Sequence, residues 1–97
     1  ARVALLTLKG RNEDKVKFAA DHLRKEIEKL TAGWKDLILA GPAPSPLLRA
    51  ESFFRYQIML RTRAMSRLAT ELTTVQTSVV LPEDITLTVD IDAVNLS

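Results

Sequence analysis

Phe54-Arg55-Tyr56-Gln57-Ile58-Met59-Leu60-Arg61 alternates without interruption, and the fold can be read outward from it. Phe54, Tyr56, Ile58 and Leu60 fall on one side of an extended chain, and Arg55, Gln57, Met59 and Arg61 fall on the other. The expectation is a strand with one packed face and one presented face. Upstream, Leu37-Ile38-Leu39-Ala40 is a short strand closed by Gly41, Pro42, Pro44 and Pro46. Proline lacks the amide that an interior ladder needs, which makes this an edge strand or its exit. Val3 to Lys9 is an apolar run with no polar alternation in its first half, the pattern of a central strand buried on both faces. Near the end of the chain, Leu87, Val89 and Ile91 alternate with Thr86, Thr88, Asp90 and Asp92, which predicts a half-exposed strand.

Two segments between these strands carry a helical period. Val16, Ala19, Ala20, Leu23, Ile27 and Leu30 form one stripe, opposite Lys17, Asp21, Arg24, Lys25 and Glu28. Asn12 is placed to accept from the free amides of the first turn, Glu13 and Asp14 suit the positive end of the helix dipole, and Gly33 can take a left-handed stop. A second helix is predicted from about Ala64, with Met65, Leu68, Leu72, Val75 and Val79 on its stripe. Its β-branched tail, Thr73 to Val80, leaves the end open as far as Pro82. The order is βαββαβ. Two striped helices and a four-stranded sheet resolve most economically as an α+β ferredoxin-like two-layer sandwich with both helices on one face, spanning residues 1–97 as a single domain. Right-handed crossovers put the first and third strands in the centre.

Composition excludes several classes of chemistry. A chain of 97 residues closes one core and does not make a two-domain enzyme. It has no cysteine and one histidine, His22, so thiolate zinc sites, iron-sulfur clusters and cysteine nucleophiles are ruled out. His22 lies on a charged helix flank, where a solvated or packed histidine is far commoner than a catalytic one. Asp90 and Asp92, two apart on a strand, supply too few ligands for a cation, and a polar strand face accounts for them better. No GxxxxGK[ST], GxGxxG or GxSxG pattern occurs. Neither a catalytic nor a metal-binding residue is assigned. No run of eighteen apolar residues suggests a membrane span, and the start at Ala1-Arg2, with neither an initiator Met nor a signal pattern, reads as an excised or soluble fragment.

The formal net charge of +2 is too small to name a partner, but its distribution is informative. Arg49, Arg55, Arg61, Arg63 and Arg67 stand against Glu51 alone, a local balance of +4. After Arg67 no basic residue occurs, while Glu71, Glu83, Asp84, Asp90 and Asp92 follow. The middle of the chain can offer a positive surface to a polyanion or an acidic peptide, unless the two segments meet in the fold and cancel. Phe54 and Tyr56 share the packed face, so Phe53 is the ring expected to be exposed, and Trp34 is expected as a lid on the core. Guanidinium groups with few rings favour backbone contacts over base readout.

Three patches in order resemble the C-terminal domain of the primosomal protein N′ family, the bacterial replication-restart DNA helicases. They are Leu39-Ala40-Gly41-Pro42-Ala43-Pro44, Phe54-Arg55-Tyr56-Gln57-Ile58-Met59-Leu60, and Val89-Asp90-Ile91-Asp92-Ala93-Val94-Asn95-Leu96, with Ala93 where the family usually has proline. The resemblance covers about sixty residues from Leu37 onward, and residues 1–36 match it in pattern only. It implies that the chain is a non-enzymatic C-terminal domain of an ATP-dependent helicase whose ATP and zinc sites lie in other domains, with no cofactor of its own. It further implies a cytoplasmic, nucleoid-associated protein that binds branched or single-stranded DNA and docks on the helicase core of its own parent; Arg49, Arg55, Arg61, Arg63 and Arg67, from the charge distribution, are the residues expected to meet that DNA. Gln57 matches a glutamine of the pocket for the acidic tail of single-stranded DNA-binding protein, and Phe53 stands where a basic residue is expected in that pocket. An acidic-peptide module is therefore the alternative function.

Overall fold

A computed structural model describes residues 2–92, with the backbone alone for residues 47–50. The elements are β1 (Arg2–Gly10), α1 (Glu13–Leu30), β2 (Leu37–Ala50), β3 (Phe53–Thr62), α2 (Met65–Ser78) and β4 (Thr86–Ile91). They form one sheet in the order β2-β3-β1-β4, antiparallel at every pairing. The first and third strands are central, as the crossover rule requires. The third closing patch of the sequence, from Ala93 on, lies outside the described residues.

Alternation in β3 decides which face meets the helices. Tyr56, Ile58, Leu60 and Thr62 are buried, and register pairs them with Leu8, Leu6, Ala4 and Arg2 of β1. Against this face α1 packs Val16, Ala19, Ala20, Leu23 and Ile27, and α2 packs Met65, Leu68, Leu72 and Val75. Each fully buried Leu, Ile or Met side chain contributes roughly 1.5–3 kcal/mol by leaving water. The core therefore lies wholly between one sheet face and two helices.

The helix ends follow their local chemistry. Asn12 Oδ1 accepts from the Lys15 amide at 3.0 Å, and Glu13 and Asp14 occupy the first turn. Thr31 caps the other end by donating its amide to the Ile27 carbonyl, and Gly33 follows at φ +83°. In α2 the threonines that left the end open turn their hydroxyls back onto the helix: Thr73 donates to Ala69 O and Thr77 to Thr73 O, as Ser78 does to Thr74 O, and the helix runs to Ser78.

Two expectations are corrected. β1 is buried on one face only, because no layer covers the other: Val3, Leu5, Thr7 and Lys9 are half-buried while Ala4, Leu6 and Leu8 are fully enclosed. β2 does not stop at Ala40. It continues along β3 to Ala50, with irregularities between Ala40 and Ala43 and between Pro44 and Arg49. An edge strand needs donors on one side only, so prolines facing away from β3 or sitting at a bulge do not break it. The Gly41-Pro42 peptide is cis, and the Arg24 guanidinium of α1 donates to the Gly41 carbonyl, tying this arm to the helix layer.

Candidate nucleic-acid interface

The side chains that β3 turns away from the helices are Arg55, Gln57, Met59 and Arg61, all half-buried or exposed. Register surrounds them row by row. Arg61 lies between Ile38 and Val3, Met59 between Ala40 and Leu5, and Gln57 between Ala43 and Thr7, while Arg55 faces Lys9. On β4, Thr86, Thr88 and Asp90 extend three of these rows. The centre of the face is thus apolar and its two ends are cationic. Leu5, Ala40, Pro44, Pro46 and Met59 line a depression of about 310 Å³ in this centre, with Gln57 as its polar group. The proline arm of β2 forms one wall, and only because β2 continues past Gly41.

At one end, Lys9 Nζ and Arg11 Cζ each sit 4.8 Å from the centroid of the half-buried Phe53 ring. Arg55 belongs to this end through its pairing with Lys9. At the other end Arg61 and Arg63 are exposed, and the Arg63 amide donates to Asp36 Oδ2 at 2.9 Å, fixing the chain where it leaves β3. Arg67, on α2, lays its guanidinium 4.0 Å over the Trp34 ring. Trp34 packs partly against the core as expected, and Arg67 shields its outer side. The five arginines therefore do not make one patch. Arg55 lies six positions along the strand from Arg61, about 20 Å, and Arg67 belongs to α2 in the helix layer. Arg49 pairs its backbone with Phe54, and its side chain lies outside the described residues.

Lys9 and Arg11 were not among the residues singled out by sequence. They lie on β1 and its exit, more than forty positions from Phe53. Only the antiparallel register of β1 on β3 brings them to that ring. The signal available was the Lys9-Gly10-Arg11 pair of cations bracketing the end of an apolar central strand.

Two carboxylates of the acidic end are taken up by cations outside β3. Asp92 turns out of β4 at φ +60° and pairs with Arg2, with Arg2 Nε donating to Oδ1 at 3.0 Å. Arg2 holds the Asp92 carboxyl below the usual carboxylate range through that hydrogen bond. Asp84 takes Lys15 of α1 at 3.2 Å. These two carboxylates are thus occupied by cations of β1 and α1, and among the described residues no ion pair involves Lys9, Arg11, Arg61 or Arg63.

His22 is exposed on α1, next to Phe18 and to Val80-Leu81-Pro82, where these residues border an apolar depression of about 480 Å³. Among the described residues no three His, Asp or Glu side chains converge to hold a metal ion, and no helix is long and apolar enough to cross a membrane. The perturbed group inside is structural. Tyr56 donates its hydroxyl to Glu13 Oε2 at 2.6 Å, and this bond, with burial second, pushes the phenol up to about 12.

A four-stranded sheet with both helices on one face, leaving the other face uncovered, defines a ferredoxin-like two-layer sandwich. The chain belongs to the primosomal protein N C-terminal domain family, whose model matches residues 1–94, so its role is that of a primosomal protein's domain. Solved structures share the fold. A de novo designed protein with a ferredoxin fold superposes with a TM-score of 0.59 at 9% identity, covering 93% of this chain and 82% of the design. A hydantoinase/carbamoylase family amidase from Burkholderia ambifaria superposes at 0.50 and 14% identity, covering 93% of this chain but 26% of the amidase. Both likenesses concern architecture alone. No curated protein matches the chain.

Proposed function

We propose that this domain binds DNA through the uncovered face of its sheet, as the C-terminal domain of an ATP-dependent replication-restart helicase. It helps to recognise branched or single-stranded DNA at stalled forks and to begin primosome assembly in the cytoplasm. ATP and zinc are handled by other domains of the parent. The observation that carries the reading is that Lys9 and Arg11 at one end of the uncovered face, and Arg61 and Arg63 at the other, enter no ion pair among the described residues. Such groups neutralise phosphates and release condensed counterions, so affinity falls steeply with salt while sequence preference stays slight. The helix side supplies a separate docking surface for the helicase core, where Phe18 and Val80 are 77% and 87% exposed.

The test is fluorescence anisotropy on forked and single-stranded DNA over a salt series. Arg61→Ala with Arg63→Ala should flatten the slope of log K against log salt by up to about two units, since each neutralised phosphate releases roughly 0.7 to 0.9 of a counterion. Both side chains are exposed, so the melting temperature should hardly move. An unchanged slope with wild-type affinity removes these arginines from the DNA surface.

A second reading is supported by the depression beside Gln57: an acidic peptide, such as the tail of single-stranded DNA-binding protein, would lay an apolar side chain on Leu5 and Met59 and its carboxylates toward the cationic ends. Gln57→Ala should then weaken peptide binding and leave DNA affinity within about twofold.

A further inference from the structure

We infer that Lys9 and Arg11, gathered on the Phe53 ring, form a clamp for successive phosphates of a single nucleic-acid strand. The inference rests on the DNA-binding reading above and adds a site at the end of the sheet opposite Arg61 and Arg63. Both cations lie 4.8 Å from one ring centroid, so they are no more than about 10 Å apart. That is near the Debye length at physiological salt, roughly 8 Å, and a ligand meets them as a patch of two charges. Like charges held so close repel, and the face of the ring offsets part of that repulsion by attracting each of them. Phe53 is thus a positioning residue: it holds the two cations in place before a ligand arrives. Among the described residues neither cation has a carboxylate partner.

Geometry favours a nucleic-acid strand over an acidic peptide. Lys9 pairs with Arg55 on one side and Thr86 on the other, so the backbone of β1 here is used by both neighbouring strands. An incoming peptide finds no free main-chain edge on β1 at Lys9, and neither Lys9, Arg11 nor Phe53 lines the apolar depression that would take its side chains. What the corner offers is charge at fixed spacing, which suits a polymer with a phosphate at every step. A guanidinium beside an ammonium also divides the work, since the fork of Arg11 can take two oxygens of one phosphate while Lys9 acts as a point charge on the next.

The test is anisotropy of a labelled oligothymidylate over a salt series, with an aspartate-rich peptide of equal charge as the competitor. Lys9→Gln with Arg11→Gln should lower the salt slope by about 1.4 units, at roughly 0.7 per phosphate on a single strand. Arg11 is exposed and outside the strand, so Arg11→Gln alone keeps the test open if the double variant fails to fold, and should lower the slope by about 0.7. Phe53→Leu should weaken binding severalfold with the slope retained, because the charges remain but lose their common seat. If Arg11→Gln and the double variant keep the wild-type slope while Arg61→Ala with Arg63→Ala flattens it, the clamp is overturned and the DNA-binding reading stands. If the wild-type chain binds no oligonucleotide, both fall. If the peptide binds as tightly and loses affinity in the same variants, the corner is an acidic-peptide site and the inference is overturned.

Discussion

Replacing Gly41 by alanine should destabilise the domain far more than the same change at Gly33, and the difference measures how closely the proline arm of β2 sits on β3. Both glycines have positive φ, +96° and +83°, so each substitution forces an L-residue into a conformation that costs about 1–2 kcal/mol. Around Gly33 a new Cβ meets nothing within 4 Å. At Gly41 it would lie 2.6 Å from the Gln57 carbonyl oxygen, 3.3 Å from the Ala43 amide nitrogen and 3.4 Å from Ile58 Cα. The first and last belong to the backbone of a central strand and cannot swing aside like the end of a side chain. Overpacking of this kind adds about 1–3 kcal/mol. The lower entropy of an unfolded chain with alanine returns about 0.4–1 kcal/mol in both variants. The net expectation is a loss of about 2–3 kcal/mol for Gly41→Ala and about 1 kcal/mol or less for Gly33→Ala. For a domain this size each kcal/mol moves the midpoint by roughly 4–8 °C, giving drops of roughly 10–20 °C and about 5 °C. Thermal unfolding followed by circular dichroism reads both. Equal drops, or a Gly41→Ala variant as stable as wild type, would refute the close approach of the β2 arm and with it the wall of the depression beside Gln57.

Other consequences can be measured on the same chain. Ile58 is fully buried, so Ile58→Asp places an unpaired carboxylate in the core and should abolish cooperative folding; a soluble variant with a sharp melt would mean that the faces of β3 are reversed. Asn12→Ala removes the acceptor for the Lys15 amide and should lower stability by about 1 kcal/mol in denaturant titration, against no change if the cap is idle. Tyr56 is the only tyrosine, so the ultraviolet absorbance of phenolate follows it alone and should titrate near pH 12 rather than 10. Because the folded-state value is raised, the stabilisation it reflects is complete below pH 10 and is lost as pH rises through about 12. Glu13→Gln should return the midpoint toward 10, and an unshifted wild-type titration would show that the Tyr56–Glu13 bond is not formed.

The layers of this fold are legible in sequence because burial imposes a period. The two-residue alternation from Phe54 to Arg61 and the stripes led by Val16 and Met65 each commit a face to the core, and the βαββαβ order then leaves few ways to close the sheet. Where a residue answers to a neighbour distant in sequence, the period says nothing. β1 is as apolar as a doubly covered strand, yet Val3 and Leu5 end on an uncovered face whose centre is apolar. Prolines at 42, 44 and 46 look like a stop, but a strand at the edge needs its amides on one side only, and whether β2 is such a strand depends on β3. The same holds for the site. Sequence groups Arg49 to Arg67 because they are near in number, while the register divides them between two ends and Arg67 covers Trp34. It brings Lys9 and Arg11 to Phe53 instead, a contact that no local spacing announces.

DNA is proposed to meet the uncovered sheet face at its two cationic ends. Amide chemical shifts of the isotopically labelled chain, recorded while a single-stranded oligonucleotide is titrated in, test it most directly. The largest changes should cluster at Lys9 and Arg11, at Phe53 and Arg55, and at Arg61 and Arg63, fading together as salt is raised. Changes confined to the helix side around Phe18, His22 and Val80, with β1 and β3 silent, would contradict it.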